Sequence, residues 1–522
     1  MAPSHWPGED ADRTMGSLGG LVGDVVQSAE PQSQRQQVGD LSGVDPALAI
    51  ERPIELVAHV TLGPVNATTV LALALPTIVE QVLNVIVGLS DTIIAGHLPG
   101  DQNTRAAAAA AVGVMSYFQW FVGLMTSAFG VGATAIIARS IGARNYARAN
   151  TAAGTAISGA FLTGLGVAAV LFAFAPRVVA LAGLRDLAAV YGEQFLRIMV
   201  ITIGLQTAGQ IGMAGLRGAG DTFRPMLITA GVAGVNVVVA MTLAFGLFGA
   251  PAMGIRGIAL GTMTAYLLGG LTTVVLLLGG ATRLRLMPGH FKIERRELAN
   301  ILRIGMPSWL EGMLLWIGQF GIVIFIINPT DLAIGVSGVT MAAHGAVLRI
   351  ESMAFLPGFG FGIAAAALVG QYLGAGRADE SRRAARLANR LALLTMTVAA
   401  VPMVVAPGGM LSLLIDSPPV VRTGLWPMVL AGLAQPGFAV AIVMGSALKG
   451  AGETIWPMLS TIVGMFAIRV PAMLIALHLF VAMGHRELGL VAVWVGILVD
   501  LNARGLFNLA VFARGRWRHK RV

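Results

Sequence analysis

The stretch GLRGAGDTFRPM, residues 215–226, returns later in the chain as ALKGAGETIWPM, residues 447–458. A second segment, FGVGATAIIARSIGARN at 129–145, returns as FGIAAAALVGQYLGAGR at 361–377. The two pairs are separated by the same number of residues. A separation that stays constant over so long a chain indicates two copies of one structural unit.

The composition excludes an ordinary soluble protein. Hydrophobic residues make up 56% of the 522 residues, charged residues only 12%, and the mean hydropathy is +0.77. Soluble domains contain about a quarter charged residues. Many apolar runs are long enough to cross a hydrocarbon core of roughly 30 Å, and they are continuous rather than alternating, which favours helices over a barrel. The sequence therefore predicts an all-α polytopic membrane protein.

We predict twelve transmembrane helices from the apolar runs between charged breaks. They divide the chain into a flexible polar cytoplasmic tail at 1–58, an N-lobe with six helices at 59–285, and a C-lobe with six helices and a basic cytoplasmic C-terminus at 286–522. The predicted spans lie near residues 68–96, 108–137, 152–175, 189–212, 226–249, 257–280, 304–328, 341–369, 391–413, 424–447, 457–482 and 488–511.

The repeat also marks the start of each unit. Pro76 and Glu80 recur as Pro307 and Glu311. The separation between each residue and its repeat is one residue shorter here than in the other repeated pairs. Because each unit contains an even number of spans, both units enter the membrane in the same orientation. We expect a pseudo-two-fold axis along the membrane normal and a central cleft between two six-helix lobes.

The charge pattern predicts the orientation. Successive loops alternate between basic and nearly neutral, with 22 Lys and Arg on one side and six on the other. The positive-inside rule places both termini in the cytoplasm and the protein in the cell inner (plasma) membrane. We prefer this explanation of the net charge of +9 to nucleic acid binding. The two glycine-rich turns lack the spacing of a P-loop, so a nucleotide-driven pump is not predicted.

The first predicted span contains charged residues that a lipid-facing helix would avoid. Glu80, Asn84 and Asp91 lie within PTIVEQVLNVIVGLSDTIIAG, residues 76–96. An ionised group at the bilayer centre costs roughly 2.5–3.5 kcal/mol on insertion scales. At about 100° per residue the three form one polar stripe roughly 16 Å long. We predict that the stripe faces the bundle interior or the cleft; the alternative is that the carboxylates pair with a buried arginine or backbone amides.

The second half also contains polar residues within its spans. His344 and Glu351 are seven residues apart and share a helix face, and we expect Glu311 to face the same cavity. Gln319 is a further candidate for the cleft. For His344 and Gln319 the alternative is a helix contact, and for Glu351 it is neutralisation by Arg349.

Several segments resemble the multidrug and toxic compound extrusion (MATE) transporters of the multidrug/oligosaccharidyl-lipid/polysaccharide exporter superfamily. The likeness covers about residues 65–512. It implies two six-helix lobes around a V-shaped cleft, and antiport in which proton or sodium influx drives export of cationic, amphipathic compounds. Its carriers are P-x-x-x-E-Q with SDTIIAG in the first span, FGVGATAIIARSIGAR, GLRGAGDTFRPM, and AAHGAVLRIESMAFLPGFGFGIAAAALVGQYLGAG.

The resemblance suggests roles for two residues. Asp91 resembles the family's first-span aspartate, which is implicated in cation coupling. Asn236 resembles the asparagine of an N-x-x-x-D pattern in proton-type members, although Ala240 stands where the aspartate of that pattern would be. Leu315 stands where sodium-type members have a glutamate, and Glu311 lies one turn earlier. Both departures leave the coupling ion open.

The leading hypothesis is therefore a rocker-switch antiporter for multidrug efflux. The alternative is a flippase for a lipid or lipid-linked oligosaccharide, although an acidic stripe disfavours anionic headgroups. An enzyme is not expected, because the sequence shows no metal or nucleophile cluster. We expect no cofactor besides H⁺ or Na⁺, small cationic substrates and the lipid bilayer as partners, and a monomer. The predicted cation-coupling residues are Glu80, Asn84, Asp91, Asn236 and Glu311, with a candidate sodium site near Asp91, and the predicted substrate or cavity residues are His344, Glu351 and Gln319.

Overall fold

The computed structural model describes residues 63–322, 327 and 338–520. The predicted polar tail at 1–58 lies outside these residues. The described chain forms sixteen α-helices, joined by turns and short 3₁₀ segments, with a π-helical stretch at Val463–Arg469. The α-helices are α1 Ala67–Gly96, α2 Gln102–Gly142, α3 Tyr146–Ala173, α4 Ala175–Leu181, α5 Asp186–Met199, α6 Ile203–Gly218, α7 Phe223–Phe245, α8 Ile255–Leu278, α9 Arg295–Ile322, α10 Val339–Gly374, α11 Ala378–Val405, α12 Pro407–Ser412, α13 Pro418–Gly450, α14 Ile455–Ile462, α15 Val470–Ala482 and α16 Gly489–Arg514.

The all-helical membrane prediction is confirmed. Eleven helical segments of the described chain are long and apolar enough to cross a membrane. In one of them α5 and α6 are joined by a 3₁₀ turn, and in another α14 and α15 are joined by the π-helical stretch. These eleven segments and α9 follow the order of the twelve predicted spans. The last residues of the predicted seventh span, beyond 322, lie outside the described residues apart from residue 327.

The first helix, α1, contacts the first of the two repeated glycine-rich turns. The side chain of Asn66 caps α1 by accepting the N–H of Thr69 at 2.8 Å. Pro76 lies inside α1 and has no N–H, so it cannot donate to the carbonyl of Ala72. The hydroxyl of Thr222, in the repeated GAGDT turn, donates to that carbonyl instead at 3.5 Å. The glycine-rich turn therefore packs against the proline site of α1.

The two lobes meet through helices that correspond in the repeat. In the N-lobe, α1 and α2 contact α10, and α2 also contacts α9. The corresponding helices are α1 with α9 and α2 with α10, so the contacts of α1 with α10 and of α2 with α9 are equivalent in the repeat. The chain segments before α1 and after α16 lie at one end of the bundle, where Tyr372 donates to the carbonyl of Gly63 and Arg139 to that of Lys520. We call this the closed end.

Glycines permit backbone contact between the lobes at the closed end. A Cβ atom on Gly132 would overlap the carbonyl of Ile301, and one on Gly142 would overlap the carbonyl of Gln371. The reverse contacts show the same restriction, with Gly305 against Ala128 and Gly374 against Arg139. Small residues allow membrane helices to approach this closely and to pack by van der Waals contact. Four glycines therefore determine how closely the lobes pack at this end.

We expect Gly142→Ala to separate the lobes at the closed end. The added methyl group overlaps backbone rather than a movable side chain, so α2 and α10 must move apart. The chain has no cysteine, and spin labels can be introduced at the exposed positions Arg144 and Asp379. The distance distribution between the labels, measured by pulsed electron paramagnetic resonance, should shift to longer values.

Gly113→Ala is the matched control for this prediction. Gly113 lies in the same helix, and a Cβ atom placed on it has no heavy atom within 4 Å outside its own helix backbone. Its only expected effect is a gain in helix propensity of up to about 1 kcal/mol. An unchanged distance distribution in the Gly142 variant would show that the closed end does not depend on this contact.

Candidate functional site

Asp91 lies in a buried polar cluster formed by three helices of the N-lobe. Its side chain is on α1 and is 6% exposed. One carboxylate oxygen accepts the Asn236 amide of α7 at 3.2 Å, and the other accepts the Thr262 hydroxyl of α8 at 2.8 Å. The carbonyl of the Asn236 side chain accepts the hydroxyl of Ser90 at 3.2 Å. The structure thus brings together Asp91 and Asn236, both of which were predicted as coupling residues.

Among the residues that the structure describes, no basic side chain pairs with the carboxylate of the Asp91 cluster. None of the ion pairs between described residues includes Asp91. Burying a carboxylate without a counter-charge is costly even when neutral donors hydrogen-bond to it. The described chain contains no group of three or more His, Cys, Asp and Glu side chains that could hold a metal ion. The cluster is therefore suited to one small cation or a proton.

Glu80, one of the other two stripe residues, has different partners. Its carboxylate is 5% exposed and lies 2.6 Å from the Arg217 guanidinium of α6. The two side chains line a cavity of about 230 Å³ in the N-lobe, to which Asn84 also contributes. The alternative that a carboxylate of the stripe pairs with a buried base is therefore realised at Glu80 and not at Asp91.

The wall of this N-lobe cavity offers unpaired polar atoms. The second carboxylate oxygen of Glu80 and the side-chain carbonyl oxygen of Gln206 are buried without a hydrogen-bond partner in the described part of the chain. Buried polar atoms normally have a partner, so these two oxygens are free to accept a hydrogen bond once either side chain turns toward the cavity. The cavity is lined by α1, α6, α7 and α8 together with Ile363 of α10. The other lining residues are Gln81, Gly209, Gln210, Met213, Thr229, Val232, Tyr266, Gly269 and Gly270.

The C-lobe has a counterpart of the Glu80–Arg217 pair. Glu311 of α9 lies 2.8 Å from the Lys449 ammonium of α13 and accepts the Thr461 hydroxyl at 3.2 Å. Arg217 and Lys449 are equivalent positions of the repeated segment that contains the glycine-rich turn. Neither base was predicted as a site residue, although the repeat that relates Glu80 to Glu311 also relates Arg217 to Lys449.

His344 and Gln319 contact each other in the C-lobe. Their Nε2 atoms are 3.3 Å apart, so α9 and α10 meet at this point. Glu311, in contrast, is occupied by Lys449 and Thr461, and no hydrogen bond of the described residues joins it to His344. The expectation that Glu311 shares a site with His344 and Glu351 thus finds no support in the contacts of these side chains.

Glu351 lies near a buried charged cluster that was not predicted from the sequence. Asp500 of α16 is fully buried and accepts Arg469 at 2.8 Å and Arg504 at 2.6 Å. Arg469 ends the π-helical stretch and acts electrostatically on Glu351, which is buried and 5% exposed. Arg349 is exposed, and no ion pair within the described part of the chain joins it to Glu351.

Comparison with known proteins identifies relatives along most of the chain. A family model described as MatE matches residues 76–242 and 307–475, so its two matches begin at the repeated prolines. A probable multidrug resistance protein NorM of Thermotoga maritima is 28% identical over 454 residues, which cover 86% of this chain and 93% of that protein. An uncharacterized transporter of Bacillus subtilis, YisQ, is 24% identical over 451 residues, with the same coverage of both chains.

Solved structures share the fold. An outward-facing multidrug resistance MATE family transporter of the MOP superfamily superimposes with a TM-score of 0.76 at 20% identity, covering 90% of this chain and 99% of that one. A MOP superfamily transporter from Pyrococcus furiosus gives a TM-score of 0.72 at 21% identity, covering 86% and 95%. At these identities the likeness concerns the arrangement of helices.

We expect Asp500→Asn to destabilise the C-lobe. The change leaves two buried guanidinium groups without their shared carboxylate, which typically costs about 3–5 kcal/mol. The thermal unfolding temperature of the purified protein in detergent should fall by several degrees. Asp416→Asn, which alters an exposed carboxylate, should leave it unchanged. The double variant Asp500→Asn with Arg504→Gln should lose less than the single variant, and equal stability of wild type and Asp500→Asn would contradict the assigned cluster.

Proposed function

The chain belongs to the MatE family, and on that premise we propose that it is a multidrug antiporter that exports cationic amphipathic compounds in exchange for protons. The NorM relative bears the name of a multidrug resistance protein, which supports small molecules as cargo. The observation that carries the proposal is the buried Asp91 carboxylate, which has neutral hydrogen-bond donors and lacks a basic partner among the described residues.

A proton fits the Asp91 cluster better than sodium. Both carboxylate oxygens already accept hydrogen bonds, and the side-chain carbonyl of Asn236 accepts one from Ser90. A bound Na⁺ would need several oxygens turned toward it, whereas Asn236 and Thr262 point hydrogen-bond donors at the Asp91 carboxylate. A proton needs one carboxylate oxygen, and its binding removes the uncompensated buried charge. We therefore assign coupling to Asp91, with Asn236 and Thr262 orienting its carboxylate.

The N-lobe cavity at Glu80 is the proposed cargo site. Glu80 offers an unpaired carboxylate oxygen, and Asn84 and Gln206 offer polar groups in the same cavity. Arg217 occupies the other oxygen of Glu80 and so acts as a tethered cation where a cationic compound would bind. Cargo entry then exchanges one cation for another at a buried carboxylate, which avoids leaving that charge unpaired. In the C-lobe, we retain His344, Glu351 and Gln319 as proposed lining residues of the cleft.

Export requires that the lobes alternate between two arrangements. We propose that the closed end faces the cytoplasm, because the basic loops lie there and favour the cytoplasmic side. With the closed end on that side, both termini are cytoplasmic. A proton at Asp91 and cargo at Glu80 favour opposite arrangements of the lobes only if each binds the two arrangements with different affinity. A lipid flippase, the second candidate, would not require proton uptake at Asp91.

Cargo-coupled flux in proteoliposomes tests the proton assignment. With a cationic dye as cargo, a pH gradient should drive dye movement, and a sodium gradient at equal pH should not. Asp91→Asn should reduce dye movement to the level of protein-free liposomes, because the amide cannot exchange a proton. Glu193→Gln removes a partly exposed carboxylate paired with Arg197 and should retain transport. Movement driven by sodium alone would contradict the proton assignment, and movement of a lipid analogue without dye would favour the flippase.

Dye binding at equilibrium tests the role of Arg217. Arg217→Gln removes the tethered cation, so we expect cationic dye to bind about tenfold more tightly at pH 8, corresponding to about 1.4 kcal/mol. Glu80→Gln should weaken dye binding by a similar factor. Lys449→Gln breaks the equivalent pair in the C-lobe, which does not line the N-lobe cavity, and should leave the affinity unchanged. Equal effects of the Arg217 and Lys449 variants would contradict the assigned cargo site.

A further inference from the structure

A second polar cavity lies between the lobes at the closed end, away from the Asp91 cluster and the N-lobe cavity. Its volume is about 250 Å³. Arg148 of α3 contributes from the N-lobe, whereas α9, the turn before α14 and the C-terminal segment contribute from the C-lobe. We call it the interlobe basic pocket, and its lining residues are Arg148, Asn300, Arg303, Ile304, Gly452, Thr454, Ile455 and Lys520.

The interlobe basic pocket has an excess of positive charge. Arg148 lies 2.9 Å from Glu297, and Lys520 lies 3.0 Å from Glu453. Arg303 takes part in no ion pair with a carboxylate of the described residues. Arg148 and Lys520 are thus each paired with one acid, whereas Arg303, an exposed residue of α9, brings to the pocket a positive charge that no described carboxylate pairs. An anion would restore the balance.

The turn that closes this pocket differs from its repeat counterpart. In the first half, Asp221 accepts the backbone N–H of Arg224 at 3.1 Å, so it caps the start of α7. In the second half, Glu453 is bound by Lys520, and no hydrogen bond of the described residues joins a side chain to the equivalent N–H of Trp456. The helical segment that begins with α14 extends over Ile455–Ala482. Because Pro457 has no N–H, the free N–H groups at its start are those of Ile455 and Trp456, and they and the helix dipole favour a negative charge at the pocket.

Thr454 provides independent evidence that a ligand binds here. It lines the pocket, is only 2% exposed, and its hydroxyl has no hydrogen-bond partner within the described chain. The equivalent Thr222 hydroxyl donates to the carbonyl of Ala72. Both polar side chains of the first turn are therefore used within the protein. In the second turn, Glu453 pairs with Lys520, and Thr454 lines the pocket without a partner for its hydroxyl among the described residues.

An exposed apolar strip continues from the pocket along α9. Met306 and Leu310 follow Arg303 at helical spacing on the same face and are exposed. A free phosphate ion would leave this strip uncovered, whereas the acyl chains of a phospholipid would cover it. The combination of a basic pocket and an apolar strip favours an anion that carries hydrocarbon chains.

We propose that the interlobe basic pocket binds the phosphate group of an anionic phospholipid. Arg303, the Thr454 hydroxyl and the first N–H groups of α14 hold the phosphate, and Arg148 reaches it from the other lobe. Because the pocket contains residues of both lobes, bound lipid stabilises the arrangement in which the closed end is shut. This lipid site is independent of the proposed cargo and of the coupling ion.

Thermal unfolding in lipid nanodiscs tests the site. Phosphatidylglycerol added to phosphatidylcholine should raise the unfolding temperature of the wild type by several degrees, because a ligand of the folded state stabilises it. Arg303→Gln should lose most of this rise. Arg296→Gln removes the same charge from an exposed position of the same helix outside the pocket and should retain the rise. Equal losses in both variants would indicate general surface attraction and overturn the proposal.

Two further measurements complete the test. Asn300→Asp adds a negative charge to the pocket and should reduce the rise even if Arg303→Gln fails to fold, which unfolding in phosphatidylcholine alone would reveal. Inorganic phosphate titrated into detergent-solubilised protein tests the other source of the same chemistry. If phosphate reproduces the full Arg303-dependent rise without lipid, the lipid assignment is wrong and the pocket binds a soluble phosphate.

Discussion

Backbone contact between α2 and the two facing helices α9 and α10 is the constraint on which the remaining structure depends. Glycines allow these helices to meet without intervening side chains, so the lobes are pinned together at one end. The polar residues of the first helix in each half contact other helices of the same lobe. For α1, this places Asp91 against α7 and α8 and places Glu80 against α6. The interlobe basic pocket lies at the same end and is lined by residues of both lobes.

Hydropathy and the repeat predicted the helical class, the order of the spans and the relation of Glu80 to Glu311. They could not predict which side chains meet. Helical periodicity places Glu80, Asn84 and Asp91 on one face, but it does not show which neighbour each one contacts along that face. Arg217 lies 137 residues from Glu80, and Thr262 lies 171 residues from Asp91. Asp500 and Arg504 are four residues apart on one helix, but the sequence does not show that Arg469, on another span, completes the cluster.

The two halves share one arrangement of helices, but their buried charges differ. The pairs Glu80–Arg217 and Glu311–Lys449 occupy equivalent positions, which indicates that the frame requires one acid and one base there. Elsewhere the halves diverge: Asp91 has neutral partners, whereas Asp500 has two arginines. Two guanidinium groups compensate the charge of the Asp500 carboxylate, whereas an amide and a hydroxyl leave the charge of the Asp91 carboxylate uncompensated. This asymmetry is the physical basis for placing proton uptake in the N-lobe.

In the proposed antiport, the separation of Asp91 from Glu80 constrains how proton and cargo are exchanged. Eleven residues of helix place the two carboxylates roughly 16 Å apart along α1. At that distance a proton and a cationic compound do not compete for one carboxylate by contact. Screening and polar surroundings weaken direct charge repulsion further. Exchange must then operate through the arrangement of the lobes, with each ligand favouring a different arrangement. Since α1 carries both carboxylates and contacts α10 of the other lobe, its position relative to that lobe can respond to both.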